Sequence, residues 1–117
     1  MKQDTITGLY KLPGKPPGTC TIPNSLAALQ ELVGGYIEII SAYENCVFIM
    51  NEEGKLRGME PNIYFRGDVF VGPIFICGRS GPELSDLQLR DCEMKSLLAI
   101  LHNNDCHRRP RIRRREG

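Results

Sequence analysis

A chain of 117 residues, 41% hydrophobic and 25% charged, has the length and composition of one soluble domain with a single modest core. No run approaches the roughly 18 to 20 apolar residues that cross a bilayer, and Met1-Lys2-Gln3-Asp4-Thr5 lacks the charged-then-apolar form of a secretory leader, so a cytoplasmic protein with no membrane contact is expected. The net charge of +1 conceals a split: residues 108–117 hold six Arg and one Glu, a local +5, while the other 107 hold nine Lys and Arg against thirteen Asp and Glu, or −4.

In chain order, Ile6 to Leu12 reads as a first strand, and Pro13-Gly14-Lys15-Pro16-Pro17-Gly18 as a stiff, turn-forming break before a second short strand, Thr19 to Ile22. Asn24 or Ser25 then caps a helix whose Leu26, Leu29, Leu32 and Val33 share one face and which Gly34 stops. At two to three turns this helix needs a surface to pack on. Tyr36 to Ser41 and Cys46 to Met50 read as a hairpin across residues 42–45, and Leu56 to Met59 as a short edge segment. Ile63-Tyr64-Phe65 leads into Arg66-Gly67-Asp68, followed by Val69-Phe70-Val71. Gly72-Pro73 interrupts the pattern before Ile74-Phe75-Ile76-Cys77, which predicts a bulge or an edge location. From Pro82 to about Asn103 the period turns helical: Ser85 with Gln88 matches a capping box, and Leu87, Met94, Leu97, Leu98 and Leu101 fall in line. The expected fold class is α+β: a small twisted, mostly antiparallel sheet of four or five strands packed on one short helix, plus a C-terminal helix. That last helix either covers the remaining apolar surface or packs against another subunit as a homodimer. Residues 1–103 form the domain; residues 104–117 form a basic tail with too little apolar content to fold alone.

The segment Leu29-Gln30-Glu31-Leu32-Val33-Gly34-Gly35-Tyr36-Ile37-Glu38, with Asn51-Glu52-Glu53-Gly54-Lys55-Leu56, Glu60-Pro61-Asn62 and Gly67-Asp68-Val69-Phe70-Val71-Gly72-Pro73, resembles the family called domain of unknown function 3846 over roughly residues 20–78. The resemblance implies an accessory protein of a bacteriophage, plasmid or other mobile element in a bacterial host, with no established activity. The order β-β-α-β-β is also similar in layout to β-grasp domains. Unlike the sulfur carriers of that fold, this chain holds its Gly34-Gly35 internally, as a helix stop, so a carrier role is not expected.

Chemistry-bearing patterns are sparse. His102 and His107 sit near no Ser or Cys nucleophile motif. Glu53 and Asp68 form an acid–base pair only if they meet in space. His102, Cys106 and His107 supply one side of a zinc site and lack the paired spacing on the other. Five widely spread cysteines with no C-x-x-C fit reduced thiols. The glycines do not fall at phosphate-loop offsets. A non-catalytic protein with no cofactor and no metal is therefore expected. Its ligand-binding residues would be Tyr36, Asn51, Glu53, Lys55, Arg57 and Asn62, on polar loops held over a rigid sheet; turn formation is the competing role for the same residues. The partner is a host protein or a small signalling molecule, and a nucleotide among these requires Lys55, Arg57, Arg66 or Arg79 to cluster. The alternative is a regulator that contacts nucleic acid through Arg108, Arg109, Arg111, Arg113, Arg114 and Arg115, which can neutralise phosphates without reading sequence.

Overall fold

The computed structural model describes residues 3–43 and 45–108. Eight strands and two helices follow in the order β1 (Thr5–Lys11), β2 (Gly18–Pro23), α1 (Leu26–Val33), β3 (Ile37–Tyr43), β4 (Cys46–Asn51), β5 (Pro61–Phe65), β6 (Asp68–Val71), β7 (Ile74–Ser80), β8 (Glu83–Ser85) and α2 (Asp91–Asn103). The fold is α+β. The main sheet runs β2-β1-β7-β4-β3, with β8 also paired to β7, and β5-β6 form a separate hairpin. Every strand pairing is antiparallel. The sheet thus has six strands rather than four or five, and the β-β-α-β-β layout describes only its first five elements.

Two cores result because β4 and β7 are apolar on both faces. All six residues of β4 are buried, as are Ile74 through Gly78 of β7. Side chains alternate along a strand. Val47, Ile49, Phe75 and Cys77 therefore meet Leu29 and Val33 of α1 on one face, while Phe48, Met50, Ile74 and Ile76 meet Ile63, Phe65, Phe70, Leu97 and Leu101 on the other. Phe48, Phe65 and Phe70 pack with centroids 5.0, 6.0 and 5.7 Å apart, each ring contributing about 1.5–3 kcal/mol through burial. A strand buried on both faces belongs at the centre of a sheet. Gly72-Pro73 is accordingly neither bulge nor edge: it is the crossover, Gly72 at φ 74°, from the β5-β6 layer back into the sheet centre.

Helix α1 is capped as expected, the Ser25 hydroxyl accepting from the Ala28 N–H at 3.1 Å and Gly34 closing the other end in the left-handed region. Leu26, expected on its apolar face, is exposed instead. The second helix starts nine residues later than its sequence pattern suggests. Ser80 pairs with Glu83 across Gly81-Pro82, and Gly81 at φ 60° satisfies the first central position of a tight hairpin. The next residues stay extended along β1: Leu87 N–H donates to Thr7 O at 2.8 Å and Thr7 N–H to Asp86 Oδ1 at 2.8 Å. Ser85 and Gln88 form no cap; Arg90 and Glu93 do. Leu87 joins the core from this extended segment. Residues 56–58 are turns and Met59 is irregular, so no strand forms there.

The first residues of the expected tail stay on the body. Tyr64 N–H donates to Asn104 O and Cys106 N–H to Asn62 O, both at 2.9 Å, so residues 104–106 run beside β5. Arg109, Arg111, Arg113, Arg114 and Arg115 lie outside the described residues.

Candidate functional site

The polar loop after β4 is tied to the end of α1. Asn51 Nδ2 donates to Val33 O at 3.2 Å, its Oδ1 accepts from Glu53 N–H at 2.8 Å, and Arg57 Nη1 donates to Gly34 O at 2.9 Å. A Cβ on Gly35 would lie 2.9 Å from Asn51 Nδ2 and 3.0 Å from Arg57 Nη1, so glycine is what lets the loop close on the helix. Asn51 is buried and acts inside this junction. Asn62 is buried too, donating from Nδ2 to Lys11 O at 2.9 Å and Gly72 O at 2.8 Å. These two members of the anticipated site hold the loops together from within. Tyr36, Glu53, Lys55 and Arg57 remain at the surface.

Beside that loop, a groove of about 260 Å³ opens between the β3-β4 side of the sheet and β6. Ile40, Met50 and Phe70 supply an apolar floor, and Glu38, Glu52 and Asp68 set three carboxylates against the single ammonium of Lys55. Lys55 donates to Asp68, and this bond, reinforced by Val69 N–H, holds the Asp68 carboxyl below its ordinary range. Leu56 stands at the rim, 89% exposed. The groove follows β3, whose one sheet neighbour among the described residues is β4. Arg66 covers one end of that open edge by donating to the carbonyls of Ser41 and Ala42 while its guanidinium stacks 4.9 Å from the Phe65 ring centre. Tyr36 and Ile39 are exposed along the rest. Of the anticipated residues, the groove wall includes Asn51 and Lys55. Glu38, Glu52 and Leu56 escaped the sequence reading. The one signal for Leu56 was an apolar residue amid the polar stretch from Asn51 to Glu60.

The four cations that a nucleotide would need are not assembled. Lys55 faces Asp68, Arg57 the end of α1, Arg66 the β3 edge, and Arg79 Nε donates to Gly81 O at 3.0 Å. Among the described residues no three of His, Cys, Asp or Glu converge as metal ligands.

A second recess, about 330 Å³, lies between the Pro13–Gly18 turn and the end of α2. Leu12 to Lys15 form a turn, Lys15 N–H donating to Leu12 O at 3.1 Å with Gly14 at φ 75° in the position that requires it. Lys11, 1% exposed, donates to Lys15 O at 3.0 Å and to Asp105 Oδ2 at 2.7 Å. Burial raises the Asp105 carboxyl, but donation from Lys11 and from His107 N–H outweighs it and leaves the group below its ordinary value. Burial also pushes the Cys46 thiol up to about 11 and the Cys77 thiol up to about 12. The five cysteines are unpaired with one another.

Among the described residues no helix is long and apolar enough to cross a membrane. No curated protein and no solved structure matches the chain. One family model does, a domain of unknown function (DUF3846), over residues 6–100, which takes in the proline-rich first hairpin as well as most of α2.

Proposed function

Because the chain belongs to the family of the domain of unknown function DUF3846, whose description carries no activity, we propose a role from geometry: a non-catalytic binding module that captures an extended segment of a partner protein on the open edge of β3. The supporting observation is that edge lying beside a groove with an apolar floor and an acidic rim. Proteins usually blunt exposed sheet edges with charge, bulges or cover. Here Arg66 blocks one end only, and the exposed stretch carries Tyr36 and Ile39. Strand addition supplies affinity through main-chain bonds, and pockets for alternate side chains supply choice. The preferred segment carries basic and apolar residues in turn at every second position, so that both kinds face the groove, the apolar ones seating over Ile40, Met50 and Phe70 and the basic ones meeting Glu38, Glu52 and Asp68. As an accessory protein of a phage or mobile element in the bacterial cytoplasm, the setting its family resemblance implies, it acts by sequestering a host protein and thereby modifying host physiology or defence. Capture of a small phosphorylated signal is the weaker reading, because Lys55, Arg57, Arg66 and Arg79 are engaged separately.

The test is fluorescence anisotropy with a labelled peptide repeating Arg-Thr-Val-Thr, which puts Arg and Val on one face of a strand, against its Glu-Thr-Val-Thr counterpart. Wild-type protein is expected to select the basic peptide, Glu38→Lys and Leu56→Asp to lose it at least tenfold without change in thermal stability, and hydrogen exchange to slow at β3 amides that face away from β4. Equal binding of both peptides, or unchanged exchange on β3, would sink the reading.

A further inference from the structure

We propose that the recess between the Pro13–Gly18 turn and the end of α2 is a second binding site, taking an unpaired nucleotide of single-stranded nucleic acid with its phosphate against Lys15 and Arg108. It is independent of the groove on β3. The recess is held by a buried scaffold. Lys11 fixes the carbonyl of Lys15 on one wall and the carboxylate of Asp105 on the other, so the two walls stay at a set separation. The His107 ring sits 3.5 Å from where a Gly14 Cβ would be and holds Pro61 O at 2.9 Å through Nε2, closing the floor.

The charges facing this space favour an anion. Asp105 is neutralised by Lys11 at 2.7 Å. Glu60, 3.7 Å from His107 Nε2, is the other carboxylate near the rim. Among the described residues, the Lys15 ammonium makes neither an ion pair nor a hydrogen bond, and Arg108 uses one Nη on Asn103 Oδ1 at 3.2 Å, leaving the rest of its fork. Immediately beyond Arg108 the sequence adds Arg109, Arg111, Arg113, Arg114 and Arg115 against Glu116. Arg108 is thus the first residue of the most cationic stretch of an otherwise acidic sequence. Successive cations along a path match the successive phosphates of a polymer rather than one free anion.

The walls point to an unpaired strand. Pro16 and Pro17 are apolar and the exposed His102 ring borders them, surfaces on which a base can lie flat, with the buried Leu101 behind. A duplex presents a convex backbone with its bases stacked inside, so only a single strand can place a base in a concavity of this size. With Lys15 and Arg108 neutralising two phosphates, the recess contributes about −1.4 to the slope of log affinity on log salt.

The experiment measures anisotropy of a labelled 20-mer of deoxythymidylate, from 0.02 to 0.3 M salt, on the full chain. The double variant Lys15→Gln/Arg108→Gln is expected to weaken binding about tenfold at 0.1 M and to flatten the slope by about 1.4, two phosphates at about 0.7 each, with the melting temperature unchanged because both side chains are exposed. Removal of residues 109–117 is expected to leave weaker binding that still prefers the 20-mer over an abasic strand of equal length. Three results would overturn the proposal: a double variant that binds like wild type while the truncated chain does not bind, a duplex bound as tightly as the single strand, or no difference between the abasic and intact strands. Absence of binding even at 0.02 M would do the same.

Discussion

The Lys11–Asp105 pair fastens the first strand to the residues after α2, and its removal tests how far the packing argument holds. Lys11 is 1% exposed with three acceptors, the carbonyls of Leu12 and Lys15 and the carboxylate of Asp105, and only the last carries charge. Asp105→Asn leaves an ammonium in a buried site facing dipoles alone. Breaking a buried pair from one side costs about 3–5 kcal/mol. Lys11→Met leaves a carboxylate that is 15% exposed and still accepts from His107 N–H at 2.7 Å, so water and that donor compensate it and the expected cost falls to about 1–3 kcal/mol. The double variant replaces the pair by an apolar side chain and a neutral amide and is expected to recover most of the Asp105→Asn loss. For a domain of this size, 1 kcal/mol shifts the melting midpoint by roughly 4 °C, so Asp105→Asn should melt about 12–20 °C below wild type. Urea unfolding followed by circular dichroism at pH 7 gives the three values. An Asp105→Asn protein within 1 kcal/mol of wild type, or a double variant less stable than either single one, would show that the ammonium is not held as the contacts indicate.

The same pair sets an acid limit. The folded Asp105 carboxyl lies below its ordinary value of 3.8, so its contribution is complete above about pH 4 and is lost as the pH falls through the lower folded value; acid titration of stability should be flatter for the Lys11→Met/Asp105→Asn variant. Gly8 lies in β1 where an added Cβ would come 2.1 Å from Ile76 O, a backbone atom that cannot move aside, whereas one on Gly18 meets nothing within 4 Å. Calorimetry should find Gly8→Ala destabilised by about 3 kcal/mol or more and Gly18→Ala within about 0.5 kcal/mol of wild type. Alkylation at pH 8 followed by mass spectrometry should label the exposed Cys92 first, while Cys46 and Cys77, buried with thiols pushed up to about 11 and about 12, react only on unfolding.

Local signals with one dominant cause were readable from the sequence. Ser25 and Gly34 bound a helix because a hydroxyl acceptor and a left-handed stop have few other uses beside an apolar period. The β4 run is apolar enough to be a strand in any setting. Signals with two causes were resolved by partners distant in sequence. Leu87 and Leu101 share a helical spacing, yet β1 recruits residues 86 and 87 through Thr7, and no pattern within residues 82–103 reveals that. Gly72-Pro73 carries the same ambiguity: an interruption within one strand and a crossover between two layers look alike until β6 is seen to pair with β5. The candidate site divides the same way. Asn51 and Asn62 have the chemistry of ligand contacts, but whether an amide faces solvent or the carbonyls of Val33, Lys11 and Gly72 depends on tertiary placement.

The position of the two concavities makes a final claim testable. Lys11 pairs with Ile74, Phe75 with Ile49, and Met50 with Glu38, so the recess and the acidic groove share one end of the sheet, about three strand spacings or roughly 14 Å apart. Across that distance in water, reversing one charge changes the energy of a nearby phosphate by about 0.6 kcal/mol before screening. The screening length is about 30 Å at 0.01 M salt and about 8 Å at 0.15 M. Glu38→Lys is therefore expected to raise single-strand affinity about twofold per nearby phosphate at 0.01 M, and only about 1.2-fold at 0.15 M. An equal gain at both salts would mean that the strand touches Glu38 directly and lies in the groove; no gain at 0.01 M would place it farther away than the recess.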